Sequence, residues 1–416
     1  MTAPKLSSWI NVPSGSDFPL QNLPFGIGQT SEIPPFVCTR IGNSVIDLHA
    51  LCELGFLDGL GIDASVFAQS TLNALMACGK AAHQNLRKRL LELFAADSAL
   101  AEQESSIILP LTEVKMLMPI QIGNYTDFYS SLEHAMNVGK MLRPDNPLMP
   151  NWKHLPVGYH GRASSIGVSG TNFHRPKGQF KPDDAPMPLF RPSKQMDFEL
   201  EMGFVIGKES ALGQCISVEE AESYIFGFLI FNDWSARDIQ RWEYVPLGPF
   251  LGKNFASTVS PWIVTLEALE AFRTEPPAQD VSVLPYLERK GKQTFDIQLE
   301  VFIKPKGGQE TKVCTSNYKH LYWTFQQQLA HHTINGCNVS VGDLYASGTI
   351  SGPTPDSFGS MLELAWRGTK PLTLSDGTQR SFLQDYDTVI MRAFAEKNNL
   401  RIGFGEVEAQ ILPALP

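Results

Sequence analysis

Three carboxylates alternate along one short stretch of the chain and are suited to binding a metal ion together. Asp197, Glu199 and Glu201 are separated by Phe198 and Leu200. A β-strand sends every second side chain to the same face, so a strand here would place all three acids on one side. Adjacent like charges repel, and Mg²⁺ or Ca²⁺, which prefer oxygen ligands, would relieve that repulsion. The alternative is a solvated polar face of an edge strand, the more usual place for acids.

Further polar residues follow the next apolar run. Asp233 ends that run, where a strand delivers a side chain to the rim of a sheet, and Arg237 and Gln240 follow at helical spacing. The segment Gly248–Lys253 is a rigid Gly-Pro loop that presents a lysine. Upstream of the three alternating acids, the polar candidates are Asp127, Tyr129, His134 and Arg143.

The composition is that of an ordinary globular protein and says little about its substrate. The chain has 416 residues, of which 43% are hydrophobic and 19% charged, enough for two domains with ample cores. A net charge of −9 argues against nucleic acid or an anionic membrane as a partner. The six cysteines form no C-x-x-C pair, and residues 1–9 lack the apolar stretch of a signal peptide. We therefore expect a cytoplasmic protein with reduced thiols.

The organisation along the chain predicts a boundary near residue 118. Residues 1–118 contain short extended pieces at 36–41 and 44–48, two amphipathic helical stretches around 72–79 and 86–94, and a polar segment at 97–106. Residues 119–416 are rich in Gly and Pro and read as a sheet-dominated α+β domain. Its predicted strands are 198–206, 225–231, 262–266, 295–303 and 387–394, and its predicted helices are 218–224 and 323–332.

Four long motifs resemble the fumarylacetoacetase family over nearly the whole chain. They are Tyr125–Ser131, Leu155–Ser165, Asn232–Gln240 and Ala346–Gly352. The resemblance implies a β-rich α+β fold, with a small N-terminal SH3-like barrel and a large C-terminal β-roll domain that forms a homodimer. It implies hydrolysis of the C–C bond of fumarylacetoacetate to fumarate and acetoacetate, the last step of tyrosine and phenylalanine breakdown.

The resemblance also implies roles for particular residues. A Mg²⁺ or Ca²⁺ ion would be held by Asp127, Glu199, Glu201 and Asp233, leaving Asp197 out. Lys253 and Ser257 would serve a smaller second cation site, although the family has threonine where this chain has Ser257. The catalytic residues would be His134 as general base, Glu363 as its orienting carboxylate, and Lys253, Arg237 and Gln240 for the developing negative charge. The substrate contacts would be Tyr129, Arg143, Tyr159, Gln240, Tyr244 and Thr349.

Each of these residues also has an ordinary structural interpretation. His134 fits a surface helix, and Glu363, which lies between apolar neighbours, fits a half-buried strand with a structural partner. Arg237 is placed to form a local ion pair with Asp238, and Lys253 to decorate a turn. Tyr159 and Tyr244 are of a type that usually packs in a core.

Other catalytic classes are disfavoured by missing motifs. The chain has no G-x-S-x-G elbow, no P-loop, no dinucleotide fingerprint and no H-E-x-x-H. The closer alternatives are an acylpyruvate hydrolase, a decarboxylase or a dienoate isomerase of the same superfamily, which would use the same enolate chemistry. A metal-binding module without turnover remains a third interpretation, against which the set of His134, Glu363 and Lys253 argues.

Overall fold

The computed structural model describes residues 6–98, 100 and 107–416. Residues 1–5, at the start of the segment examined for a signal peptide, and residues 99 and 101–106, within the predicted polar segment 97–106, lie outside this description.

The N-terminal part is a five-stranded antiparallel sheet with three helices. Its strands are β1 (Phe25–Gln29), β2 (Phe36–Ile41), β3 (Ser44–Asp47), β4 (Ile108–Pro110) and β5 (Lys115–Met116), in the order β4-β3-β2-β1-β5. Its helices are α1 (Leu48–Glu53), α2 (Asn73–Ala77) and α3 (Lys80–Phe94). The prediction for 44–48 is one residue too long, because the Asp47 side chain accepts hydrogen bonds from the amides of His49 and Ala50 and so begins α1.

The larger C-terminal part is built mostly from strands. In chain order they are β6 (Tyr125–Phe128), β7 (Gly158–His160), β8 (Ile166–Val168), β9 (Phe173–His174), β10 (Lys177–Phe180), β11 (Leu189–Pro192), β12 (Met196–Asp197), β13 (Leu200–Ile206), β14 (Ile225–Asp233), β15 (Ser235–Ala236), β16 (Ser257–Val259), β17 (Val264–Thr265), β18 (Arg273–Thr274), β19 (Thr294–Phe295), β20 (Gln298–Lys304), β21 (Thr311–Asn317), β22 (Leu344–Ala346), β23 (Leu372–Thr373), β24 (Gln379–Arg380), β25 (Thr388–Lys397) and β26 (Leu400–Leu412). The helices are α4 (Leu132–Leu142), α5 (Arg237–Glu243), α6 (Leu266–Leu269), α7 (Phe325–Thr333) and α8 (Met361–Leu364).

The central sheet of this part carries the predicted site and is covered on both faces. Its strand order is β7-β6-β22-β13-β14-β16-β8, with β17 pairing with β14. Along β14, Phe228 and Ile230 pack into one core while Leu229 and Phe231 pack into another, which also contains the helices of the N-terminal part. Two covered faces explain why β14 is a continuous apolar run rather than an alternating one.

A second sheet, in the order β21-β20-β25-β26-β9, packs on the other side of the first core. The strands predicted at 225–231 and 387–394 are confirmed with shifted ends as β14 and β25, and the helix predicted at 323–332 is α7. The strand predicted at 295–303 is confirmed only from Gln298 onward as β20, because Phe295 belongs to β19, which pairs with β18 in a separate sheet. The helix predicted at 218–224 is wrong, because only residues Ala221–Ser223 form a single 3₁₀ turn. The run predicted at 262–266 is a strand only over the two residues of β17, since α6 begins at Leu266.

The fold class is therefore the expected one, a β-rich α+β protein with a small N-terminal curled sheet and a large C-terminal sheet domain. Among the described residues, no helix combines the length and the apolar character needed to cross a bilayer.

Candidate active site

Four carboxylates converge at one end of the central sheet. Asp127 lies in β6, Glu201 in β13 and Asp233 at the end of β14, while Glu199 precedes β13. Each offers an oxygen atom, and these oxygens all lie within 4.8 Å of one another. We call these four residues the acidic cluster; all of them are buried.

Strand alternation explains why three members of the acidic cluster share one face. Asp127 and Asp233 follow Tyr125 and Phe231 by two residues, and both aromatic rings belong to the core that includes the N-terminal helices. Along β13, Glu201 and Val205 lie an even number of positions apart, so their side chains point to the same face, and Val205 packs into that core as well. The acids thus occupy the end of a face that is otherwise apolar, where water is excluded and the repulsion between them is strong.

The alternative of a solvated edge strand is wrong. β13 lies between β22 and β14, and Asp197, Glu199 and Glu201 are all buried. The expectation that the three acids point together is also wrong for Asp197, which lies outside the acidic cluster. The reason is local: β12 ends at Asp197 and β13 begins at Leu200, so the chain between them is not a regular strand.

Two positively charged side chains, Lys253 and Arg237, neutralise part of the acidic cluster. The Lys253 ammonium donates to Glu199 Oε2 at 2.5 Å and to Asp233 Oδ2 at 2.7 Å, and Arg237 Nη2 donates to Glu199 Oε1 at 2.6 Å. Burial alone would lower the pKa of Lys253, but Asp233 and Glu199 outweigh it and raise that pKa. Burial alone would likewise raise the pKa of Glu199, but Lys253 and Arg237 hold it well below its usual range.

These contacts decide against two structural interpretations. Lys253 is buried, so it is not a side chain that decorates an exposed turn. Arg237 pairs with Asp197 and Glu199. Asp238 instead accepts from the Ser193 hydroxyl and the Lys194 amide.

The other half of the acidic cluster suits a metal ion. Asp127 Oδ1 and Glu201 Oε1 are buried and have no hydrogen-bond partner among the described residues. Burial, followed by the neighbouring carboxylates, raises the pKa of both groups well above the ordinary value. Unpartnered buried oxygens that resist ionisation are what a hard divalent cation would stabilise. The acidic cluster is therefore a group that could bind a metal ion.

A glycine brings a further donor to the acidic cluster. The Gly348 amide donates to Glu201 Oε2 at 2.8 Å. Gly348 has φ +75°, and a Cβ at this position would lie 2.1 Å from the carbonyl oxygen of Phe128. Only glycine can adopt this backbone conformation so close to β6.

A buried histidine–carboxylate pair lies beside the acidic cluster. His134 Nδ1 lies 2.6 Å from Glu363 Oε2, and His134 is 3% exposed. The Ser131 side chain begins α4 by accepting from the His134 amide, and Ser360 begins α8 in the same way for Glu363. The interpretations of His134 as a surface residue and of Glu363 as a strand residue are therefore wrong.

Three residues that the sequence reasoning missed hold the Glu363 carboxylate. Asn137 Nδ2 donates at 3.0 Å, the Ser351 hydroxyl at 2.9 Å and the Ser360 hydroxyl at 2.8 Å. Burial alone would raise the pKa of Glu363, but His134, Asn137 and Ser360 outweigh burial and lower it, so the group stays ionised. The sequence did contain a signal for Ser360, because Ser-x-x-Glu is the capping-box pattern at the start of a helix.

Several of the predicted substrate contacts surround these groups. The Tyr159 hydroxyl donates to Asp233 Oδ2 at 3.2 Å, and Arg237 Nη1 donates to Gln240 Oε1 at 3.0 Å. The Tyr129 ring meets the His134 ring edge-on, with centroids 5.2 Å apart. Thr349 is buried, and its hydroxyl has no hydrogen-bond partner among the described residues.

Ser257, Arg143 and Tyr244 are placed differently. The Ser257 hydroxyl donates to Asp233 Oδ1 at 3.1 Å, next to the acidic cluster. Arg143 ends α4, where only its Nη2 makes a long contact of 3.4 Å, to the Pro147 carbonyl. Tyr244 is exposed at the end of α5, and within the described part of the chain its side chain makes no hydrogen bond to the acidic cluster.

A cavity of about 290 Å³ opens onto the acidic cluster. Asp233, Lys253, Ser257 and Tyr159 line it together with Phe250 from the Gly-Pro loop. The cavity therefore gives a small molecule access to Asp233 of the acidic cluster and to Lys253.

Comparisons with known proteins agree on one family. The family model described as fumarylacetoacetase N-terminal matches residues 21–119, and the one described as fumarylacetoacetate (FAA) hydrolase C-terminal matches residues 124–412. The chain is 52% identical to a fumarylacetoacetase of Dictyostelium discoideum, over 98% of each chain. It is 49% identical to the fumarylacetoacetase of Homo sapiens, over 98% of this chain and 99% of the other.

A solved structure shares the fold at lower identity. A fumarylacetoacetate hydrolase from psychrophilic Exiguobacterium antarcticum is 17% identical, covers 94% of this chain and 99% of its own, and superimposes with a TM-score of 0.54. This similarity supports the architecture of the two parts.

Proposed function

The chain belongs to the fumarylacetoacetase family, and we propose that it hydrolyses the C–C bond of 4-fumarylacetoacetate to fumarate and acetoacetate, the last step of tyrosine and phenylalanine degradation. The observation that carries this proposal is the buried His134–Glu363 pair beside the acidic cluster, in a chain about half identical to fumarylacetoacetases over nearly its full length. Acylpyruvate hydrolysis, the alternative within the superfamily, is not favoured by these relatives.

The reaction needs an activated water molecule and a stable leaving carbanion. The water oxygen bonds to the fumaryl carbonyl carbon, and the bond from that carbon to the neighbouring CH₂ breaks. Its electron pair stays on the CH₂ carbon, delocalised into the second ketone, and that carbon takes up a proton to give acetoacetate. The fumaryl carbon retains the water oxygen as a new carboxyl group, which releases one proton to solvent and leaves as fumarate. Atoms and charge therefore balance with one water consumed and one proton released.

His134 is suited to remove the proton from water. Its Nδ1 is engaged by Glu363, which leaves Nε2 as the atom that can accept a proton. The ionised Glu363 carboxylate stabilises the imidazolium that forms. Base catalysis of this kind typically contributes about 10²–10⁴-fold to the rate.

The cationic side chains are suited to the charge that develops on the leaving group. Lys253 and Arg237 are both held at the acidic cluster, and Gln240 is hydrogen-bonded to Arg237. We assign these three residues to stabilising the enolate or delivering its proton. Charged donors fixed in a buried site are effective because they need no reorganisation during the reaction.

Asp127, Glu199, Glu201 and Asp233 are the residues we assign to holding Mg²⁺ or Ca²⁺, with Lys253 and Ser257 beside a smaller second cation site. A divalent ion held there would polarise the diketone oxygens and lower the energy of the enolate. The unpartnered oxygens of Asp127 and Glu201 support this assignment.

The substrate contacts proposed are Tyr129, Arg143, Tyr159, Gln240, Tyr244 and Thr349. Arg143 is the choice for a substrate carboxylate, because a guanidinium binds a carboxylate with two parallel hydrogen bonds. Its Nε is buried without a hydrogen-bond partner among the described residues, which supports a role in binding a ligand.

We further propose a domain boundary at residue 118, a homodimer and a cytoplasmic location. The matches of two family models on either side of residues 119–124 support two domains, 1–118 and 119–416. All six cysteines, each of which lies in the described part, are free, in keeping with a reducing compartment. Light scattering after gel filtration tests the homodimer directly.

The test is an assay of fumarylacetoacetate cleavage by the purified protein. Loss of the diketone absorbance is followed before and after EDTA treatment, and again after Mg²⁺ or Ca²⁺ is added back. Cation-dependent release of fumarate and acetoacetate is the expected result. Activity that survives thorough chelation removes the metal from the proposal, and absence of cleavage with either ion would direct the assay to acylpyruvates.

A further inference from the structure

Asp197, the alternating acid that lies outside the acidic cluster, is among the most completely hydrogen-bonded carboxylates in the described chain. It is fully buried. Its Oδ1 accepts from the Met361 amide at 2.6 Å, and its Oδ2 accepts from the Leu362 amide at 3.1 Å and from Arg237 Nε at 2.7 Å. The residue therefore holds a helix and a guanidinium at the same time.

The helix that Asp197 holds is the one that carries Glu363. α8 spans only Met361–Leu364, and a helix this short has too few internal hydrogen bonds to fix its own position. Asp197 accepts from the amides of its first two residues, directly before Glu363. A shift of Asp197 is thus transmitted to the Glu363 carboxylate and, through the 2.6 Å contact, to the His134 ring.

The guanidinium that Asp197 holds, that of Arg237, also contacts the acidic cluster. Arg237 donates from Nε to Asp197 and from Nη2 to Glu199. A planar guanidinium fixes the separation of two carboxylates more rigidly than a lysine would. Among the residues that the structure describes, Asp197 is consequently the one carboxylate hydrogen-bonded both to Arg237 and to α8, the helix that carries Glu363.

We propose that Asp197 is a positioning residue, which sets the His134 base at its working distance from the acidic cluster. The inference rests on the proposed hydrolysis, in which the water activated by His134 must meet a carbonyl held at the cluster. Misplacement of a catalytic group by about 1 Å costs on the order of 10²-fold in rate.

The test compares Asp197→Asn with a matched control, Asp387→Asn. Asp387 is also fully buried and accepts from Arg380 Nε at 2.7 Å and from the Gln384 amide at 2.8 Å. Within the described residues it makes no hydrogen bond to the acidic cluster or to Glu363. In Asp197→Asn the amide NH₂ replaces one acceptor oxygen, so the bonds from Arg237 and Leu362 or the bond from Met361 must be lost.

We expect kcat of Asp197→Asn, measured at a saturating concentration of Mg²⁺ or Ca²⁺, to fall by about 10²-fold, with KM close to wild type. The double variant of Asp197→Asn and Glu363→Gln should lose much less kcat than the two single losses combined, because both changes act on the same base, His134. Asp387→Asn should lose thermal stability but keep kcat. Activities are normalised to the folded fraction measured by near-UV circular dichroism. A second variant, Asp197→Glu, keeps the negative charge that pairs with Arg237 and should show the same loss of kcat.

A spectroscopic measurement separates this inference from the proposed function. The proton between His134 Nδ1 and Glu363 Oε2, which lie 2.6 Å apart, should give a far-downfield ¹H NMR signal, to be assigned by its absence in His134→Gln. Asp197→Asn should shift or broaden this signal, whereas Asp387→Asn should not. A wild-type protein without turnover refutes the proposed function, and the NMR signal still tests the positioning role. An unchanged signal, or wild-type kcat in Asp197→Asn, would overturn the inference.

Discussion

Binding of a divalent cation to the acidic cluster is expected to release about two protons. Burial and the neighbouring carboxylates raise the pKa of Asp127 and Glu201 well above the ordinary range. Glu199 stays ionised because Lys253 and Arg237 outweigh the effect of its burial. Burial also raises the pKa of Asp233, but Lys253 donates to that carboxylate and opposes the effect. Asp127 and Glu201, whose pKa values are raised well above the ordinary range, are therefore the two members that we expect to exchange a proton for the cation.

The sign and size of the pH dependence follow from this exchange. Below the raised pKa values the cation must displace both protons, so its affinity rises with pH. Two released protons correspond to a 100-fold gain per pH unit, or about 2.7 kcal/mol. The gain fades as the pH passes the raised pKa values, because the groups then ionise without the cation. In the cation-free protein the same groups bind more protons folded than unfolded, so their contribution to stability falls as pH rises from about 4.

The assay is titration calorimetry with Mg²⁺ or Ca²⁺ in buffers that differ in ionisation enthalpy, repeated between pH 6 and pH 8. The dependence of the observed enthalpy on the buffer gives the number of protons released. Glu201→Gln should release about one proton fewer, because it removes one of the two groups. Asp387→Asn, with an equally buried carboxylate elsewhere, should behave like the wild type. Binding without proton release would refute the reasoning that the two orphaned carboxylates are protonated ligands.

Three further predictions concern single side chains. His134→Ala should retain divalent-cation affinity by calorimetry but lose about 10²–10⁴-fold in kcat, and near-wild-type turnover would remove histidine from the mechanism. Glu199→Gln should weaken divalent binding, because it removes a ligand charge and leaves Lys253 one carboxylate fewer; unchanged affinity would show that the cation binds elsewhere. Phe228→Ala should lower the free energy of unfolding by about 3–5 kcal/mol in urea titrations while leaving KM intact, since this fully buried ring packs on Phe325 away from the site.

The sequence predicted where the strands of the central sheet lie better than it predicted the residues at which they begin and end. The apolar run at 225–231 marks β14 because both of its faces are buried, a pattern that survives without tertiary information. The alternation of the three acids predicts one continuous strand, but the chain is irregular at Phe198 and Glu199, between β12 and β13. That irregularity depends on contacts distant in sequence, such as the bridge from Glu199 to Ser360, which no local pattern records.

The site was predictable where residue type alone restricts the chemistry. The carboxylates at the strand ends indicated a cation site. The resemblance to the fumarylacetoacetase family indicated which residues from distant segments join them, namely Asp127, His134 and Glu363. The supports of Glu363 were not predictable in the same way, because Asn137 and Ser351 are ordinary polar residues until the fold brings them to the carboxylate. The sequence did not predict β26, the longest strand in the described chain, because Gly403 and Gly405 interrupt its apolar pattern.

The charges of the buried site make one divalent cation the natural complement of the chain. Five carboxylates, the acidic cluster and Asp197, share the two cations Arg237 and Lys253, which leaves three negative charges when every group is ionised. Two protons on Asp127 and Glu201 reduce that excess to one, and one divalent cation in their place does the same. The exchange is electroneutral, so the low-dielectric surroundings do not oppose it. A monovalent cation in place of the two protons would leave a further buried negative charge uncompensated.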